Sequence, residues 1–148
     1  MKRALVVAGA LLLSVGAGIA QQDAVKQAQT SMKGNGKNAG ALAAMVKGEK
    51  PYDQATVDAA FAQFEDTAKK FPTLFPVSVK GAKFDGDYSP SPKIWEDKAG
   101  FEAHVASFTK TIGEAKAKIK DLETLKAAFP AVGKECGGCH ETYRVKHS

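Results

Sequence analysis

Apolar residues recur along this 148-residue chain at helical spacings of three and four. No stretch alternates apolar and polar as a half-buried strand does. Val25, Ala28, Met32, Ala39, Leu42 and Val46 share one helical face, predicting a first helix from about Asp23, a candidate N-cap, to about Lys47. Gly34, Gly36 and Gly40 interrupt it, each costing up to about 1 kcal/mol against alanine. They read either as a weakened helix or as small residues that let the backbone approach a flat ligand. Gly48 and Pro51 close the segment. Val57, Phe61, Phe64, Ala68 and Phe71 then step by four and three, predicting a second helix from Asp53 or Thr56 to Lys70 that Pro72 stops.

Residues 72–96 carry Pro72, Pro76, Pro90 and Pro92 with Gly81 and Gly86, and read as a long loop, a feature often tied to function. Leu74, Phe75, Val77, Ile94 and Trp95 are expected to pin it to the core. A third helix follows from about Asp97 to Lys120, with Phe101, Val105, Phe108, Ile112, Ala115 and Ile119 inward. A fourth starts at the candidate N-cap Asp121 and carries Leu122, Leu125, Phe129, Val132, Cys136, Cys139 and Tyr143 inward. Pro130 inside it is expected to kink it or to split off its first turn. The class is all-α. Four amphipathic helices with mostly short links predict an antiparallel four-helix bundle with a long loop between helices two and three.

The N-terminus differs from the rest. Met1-Lys2-Arg3 is basic, Ala4–Ile19 is apolar, and Gly18 and Ala20 are small residues at −3 and −1 of a cut before Gln21. That is the pattern of a secretory signal peptide over 1–20, and its apolar run is short for a membrane span. The expected mature domain is 21–148, exported to the bacterial periplasm, without a membrane span once the signal is removed. Losing Lys2 and Arg3 takes the formal charge from +5 to +3, with 19 basic against 16 acidic residues. So mild a basicity does not point to nucleic acid.

The chemistry sits near the C-terminus. Cys136-Gly137-Gly138-Cys139-His140 is a C-x-x-C-H run, the spacing of covalent c-type haem attachment. On a helix, positions i, i+3 and i+4 share one face. Cys136 and Cys139 can therefore both reach one edge of a haem, and His140 can place a ring nitrogen on the iron. The rivals are weaker. A thioredoxin-like C-x-x-C follows a strand, and none is predicted here. Zinc takes about four ligands, whereas the chain offers two cysteines and three histidines. A structural disulfide needs no following histidine. One covalent haem c is the expected cofactor, and export agrees with it, since c-type haem is attached outside the bacterial cytoplasm.

Together with this motif, Asp23-Ala24-Val25-Lys26, Met45-Val46-Lys47-Gly48-Glu49, Pro51-Tyr52-Asp53, Pro92-Lys93-Ile94-Trp95, Leu125-Lys126-Ala127-Ala128-Phe129 and Tyr143-Arg144 resemble the class II c-type cytochromes, cytochrome c′ and its low-spin relative cytochrome c-556. The resemblance spans nearly all of 21–148 and implies the bundle fold. It implies that Cys136 and Cys139 hold the haem, that His140 is the proximal ligand, and that Tyr143 and Arg144 neighbour the group, Arg144 one turn after His140. It places Met32 where the first helix crosses the distal face. High-spin members have a non-ligating apolar residue there, and the c-556 type has a ligating methionine. One departure concerns Ala28, which stands where the family usually has an arginine near the propionates. Lys26 or a loop residue is the expected substitute.

Met32 thus separates two expectations. Bound by His140 and Met32, the iron suits outer-sphere electron transfer with redox partner proteins. With Met32 only nearby, the protein is a five-coordinate binder of a diatomic gas, nitric oxide or carbon monoxide. Neither is an enzyme. Met45 lies too far along the helix to serve the same iron. His104 reads as a partly buried surface residue before it reads as a ligand, and His147 as a solvent residue of a frayed tail. Trp95 and Tyr143 are expected beside the haem, their polar tips bonded to backbone or propionate. Lys126, Lys134 and Lys146 read either as a basic ring for an acidic partner or as a solvated face. Within the family a monomer and a homodimer are both expected forms.

Overall fold

The computed structural model describes residues 6–82 and 84–147, with side chains from Gln21 onward. Four long helices, α1 (Val6–Val46), α2 (Gln54–Lys70), α4 (Lys98–Lys118) and α5 (Leu122–Tyr143), form an antiparallel four-helix bundle. A one-turn helix α3 (Lys93–Glu96) and two short strands, β1 (Tyr88–Pro90) and β2 (Arg144–Lys146), complete the regular elements. α1 packs on α2 and α5, and α4 packs on the same two helices, closing the ring. No described helix is long and apolar enough to cross a membrane.

The caps explain where three helices begin. Asp53 accepts from the Thr56 N–H at 2.8 Å, Asp97 from the Gly100 N–H at 3.1 Å, and Asp121 from the Thr124 N–H at 2.8 Å. Each satisfies a donor that the first helical turn leaves without a partner. At α5 the exchange is reciprocal, because the Asp121 N–H donates to the Thr124 hydroxyl at 3.0 Å. The expected N-cap at Asp23 is not one. The alanines and leucines before it are strong helix formers, and α1 runs straight through from Val6.

One apolar core fills the bundle. Leu42 and Met45 of α1 meet Val57, Ala60, Phe61, Phe64 and Ala68 of α2, Ile112 and Ala115 of α4, and Leu125 and Val132 of α5. Phe61 and Phe64 are 0% and 1% exposed and meet edge to face at 5.7 Å. Each such ring contributes on the order of 2 kcal/mol or more through burial. Beside them Thr67, also buried, donates to the Asn35 side chain at 2.9 Å and accepts from Gln63 at 3.1 Å. That polar link ties α2 to α1. Gly34 makes room for it, since a Cβ there would sit 3.0 Å from the Gln63 side chain. Gly36 and Gly40 are exposed, with open space where a Cβ would be. All three lie in an unbroken α1.

The segment between α2 and α4 is less of a loop than its prolines and glycines predict. It contains two 3₁₀ turns, Phe71–Thr73 and Val77–Val79, then β1 and α3. Leu74 and Ile94 bury as expected and Phe75 and Trp95 are half-buried, but Val77 is 77% exposed because the second 3₁₀ turn aims Val79 inward instead. The two strands are a further departure from an all-helical reading. β1 pairs antiparallel with β2 in the register Tyr88↔Lys146 and Pro90↔Arg144. His147 belongs to this hairpin-like pair, not to a frayed tail, with its N–H donating to the Asp87 carbonyl at 2.7 Å. Pro130 does not split α5, which is continuous from Leu122. Leu125 and Val132, buried on either side of Pro130, hold the helix together across it.

Candidate haem-attachment site

At the C-terminal end of α5, Cys136, Cys139 and His140 stand on one helical face, all half-buried. Both cysteines are free thiols. Burial pushes both thiols up, Cys139 to about 11, so they are protonated at neutral pH. Burial, and then the Arg144 charge, lower His140, favouring the neutral imidazole that has a lone pair to donate. Two neutral thiols beside a neutral imidazole fit covalent haem attachment with one axial ligand. They do not fit zinc, since no group of three or more metal-binding side chains exists among the described residues.

An aromatic cluster abuts this face. Ile94, Phe101 and Tyr143 are its buried centre, with Phe71, Phe75, Trp95, Val105 and Cys139 packed against them. The Trp95 indole N–H donates to the Phe75 and Pro76 carbonyls at 3.0 and 3.3 Å, a backbone partner as expected. Tyr143 differs from expectation: its hydroxyl donates to the Asp97 carboxylate at 2.9 Å. That hydrogen bond is the foremost cause holding Asp97 below the usual aspartate range. Asp97 thus caps α4 and anchors the end of α5 at once. A Cβ on Gly100 would run into the Asp97 carboxylate and the Tyr143 hydroxyl. Sequence reasoning missed this anchor. The signal was an aspartate N-cap with glycine three residues on, but its partner lies 46 residues away.

Arg144 does not continue the helix. It is the first residue past α5, in extended backbone, and its guanidinium lies 4.2 Å from the Tyr88 ring centroid. The helix ends at Tyr143 because the chain turns there to pair with β1. The Tyr143 carbonyl accepts from the buried Ser91 N–H at 2.9 Å. Met32 is half-buried on α1 and, among the described residues, belongs to neither apolar cluster, whereas Met45 is 3% exposed inside the bundle core. Ala28 is buried and Lys26 exposed. His104 is half-buried on α4, its ring 5.5 Å from that of Tyr143. The His147 side chain is exposed.

The family model described as Cytochrome C' matches residues 23–144. The chain belongs to the cytochrome c′ family. It is 56% identical over 147 residues to a cytochrome c-556 of Rhodopseudomonas palustris, covering 99% of both chains. A cytochrome c′ of the same organism is 38% identical over 146 residues, covering 99% and 98%. A structural model of oxidized R. palustris cytochrome c556 superposes with a TM-score of 0.76, covering 86% of this chain and 99% of that one. The R. palustris cytochrome c′ structure gives 0.77, with 85% and 98% covered. The cofactor of this family is haem c, and Cys136 and Cys139 are both of the chain's cysteines.

Proposed function

We propose that this protein is an exported one-electron carrier whose haem c is bound by Cys136 and Cys139 through thioethers and by His140 and Met32 on the iron. The observation that carries the reading is the 56% identity to a cytochrome c-556 along 99% of both chains. When bound, the haem supplies one-electron chemistry between Fe(III) and Fe(II). A neutral His140 is ready to donate to the iron, and Cys136 and Cys139 stand half-buried on the same helical face. A thioether from Met32 would favour Fe(II) and raise the potential relative to a harder ligand. Met32 is free for that role in a way that core-packed Met45 is not. Tyr143 and Arg144 would hold the proximal end, by the Asp97 anchor and by the strand pairing. Export is supported by the solved chains, which span about 86% of this one, near the share left from Gln21 onward, and by a family match that starts at residue 23.

A second reading keeps the same cysteines and histidine but leaves Met32 off the iron, giving a five-coordinate binder of nitric oxide or carbon monoxide. The 38% identity to a cytochrome c′ over nearly the whole chain favours it. The absorption spectrum of the ferric protein separates the two. Met32 ligation predicts a low-spin spectrum with a weak sulfur-to-iron charge-transfer band that Met32→Ala abolishes, leaving the haem attached. A high-spin wild-type spectrum without that band supports the second reading.

A further inference from the structure

The charge of residues 21–148 is unevenly placed. Between Asp23 and Glu49 the chain carries Lys26, Lys33, Lys37 and Lys47 and no acidic residue. The remainder holds 15 basic against 16 acidic side chains, so the net positive charge resides on α1 and its C-terminal end. Lys26, Lys33 and Lys37 follow one another at seven and four residues on a single exposed face of α1, over about 16 Å of helix. The six salt bridges among the described residues lie on other elements, and none involves an α1 lysine. Asp85 flanks one edge, where its carbonyl accepts from Gln29 at 2.8 Å. The haem-bearing helix is different: Lys126 is held by Glu123 at 3.0 Å, and Lys134 sits in a groove with Glu135 and Glu141.

We infer that the outer face of α1, centred on Lys26, Lys33 and Lys37, is the docking surface for the acidic face of a protein redox partner. The inference rests on the electron-carrier reading for the partner's role. Three exposed cations on one face, none of them in a salt bridge among the described residues, steer an acidic surface and raise its association rate, an effect that salt suppresses. Exposed Gly36 leaves the face without a side chain between Lys33 and Lys37, so a partner can approach the backbone closely. An anionic membrane is the poorer fit, because Thr30, Gly36 and Gly40 share the exposed side of α1 from Gln21 onward and, among the described residues, no aromatic or leucine anchor stands there. The same charge opposes stacking this face on a second copy of itself.

The test uses the haem-loaded protein with flavodoxin, a small acidic redox protein, as the probe. At low ionic strength K26Q/K33Q/K37Q should slow the second-order electron-transfer reaction about tenfold, and raised salt should erase the difference. K126Q/K134Q/K146Q should stay within about twofold of wild type. Amide NMR shifts on titrating oxidised flavodoxin should cluster at 26–47, whatever the spin state of the iron. That map separates failure of the docking surface from failure of the electron-carrier reading. Shifts clustered on α5, or equal effects of the two triple variants, overturn the inference. So does salt-sensitive binding of the wild type to phosphatidylglycerol vesicles that exceeds its binding to flavodoxin.

Discussion

The two apolar clusters among the described residues are built to different standards. The bundle core draws eleven buried residues from four helices and Ile119 from the end of α4, with Leu42, Ala60, Phe61 and Leu125 all at 0% exposure. The cluster beside Cys139 has three buried residues, and the rest of its apolar members are partly exposed. It is held instead by directed contacts: Tyr143 to Asp97, Trp95 to the Phe75 carbonyl, Ser91 to the Tyr143 carbonyl. A core closes on itself by volume, whereas a rim that must accept a large flat group is fixed by hydrogen bonds that leave one side free. The first region carries stability and the second carries position.

That contrast can be broken at several strengths. The largest effect belongs to the thiols. Cys136→Ala with Cys139→Ala should abolish covalent haem, read as complete loss of haem-peroxidase staining on a denaturing gel. Phe61→Ala comes next, costing about 3–5 kcal/mol in denaturant unfolding through the cavity it leaves, while the haem spectrum of the folded protein stays that of wild type. Tyr143→Phe should be milder in stability, a smaller drop in the unfolding midpoint than Phe61→Ala, because it removes one hydrogen bond and leaves the ring in place. It should nonetheless change the haem spectrum or potential, which Phe61→Ala does not. If Phe61→Ala moved the spectrum and Tyr143→Phe did not, the division between stability and position would be wrong.

The smallest effect is in acid. Asp53, Asp97 and Asp121 are all held below the ordinary aspartate value, Asp53 and Asp121 foremost by hydrogen bonds from Thr56 and Thr124 and Asp97 by Tyr143. A depressed carboxylate stabilises the fold above its unfolded pKa, about 3.9, and that stability is lost as pH falls through the folded value. Unfolding midpoints should therefore be flat near pH 6 and drop below about pH 4. Asp121→Asn, which keeps a capping oxygen, should reduce the drop slightly.

Much of this was legible in the sequence for physical reasons. Asp53 and Asp121 announce helix starts because capping is local, and Val57, Phe61 and Phe64 mark a buried face because periodicity is local too. The C-x-x-C-H run works in the same way, since its three groups share one helical turn. What was hidden depended on distance along the chain. Tyr143 meets Asp97 across 46 residues, and β2 meets β1 across more than 50, so neither leaves a pattern in its own segment. The extension of α1 back to Val6 was hidden because a signal-like apolar run and a helix have the same composition. Arg144 stands one turn after His140 by count, but nothing near it in sequence reveals the strand partner that ends α5 at Tyr143.

Ligation of the iron by Met32 is the central claim, and the most direct measurement is to mix the ferrous wild-type protein with carbon monoxide and follow its absorption spectrum. A six-coordinate haem held by His140 and Met32 predicts a low-spin spectrum that changes little or slowly on mixing, and a Met32→Ala protein that binds carbon monoxide at once. A wild-type spectrum that is high-spin beforehand and converts immediately to the carbon monoxide form would contradict it.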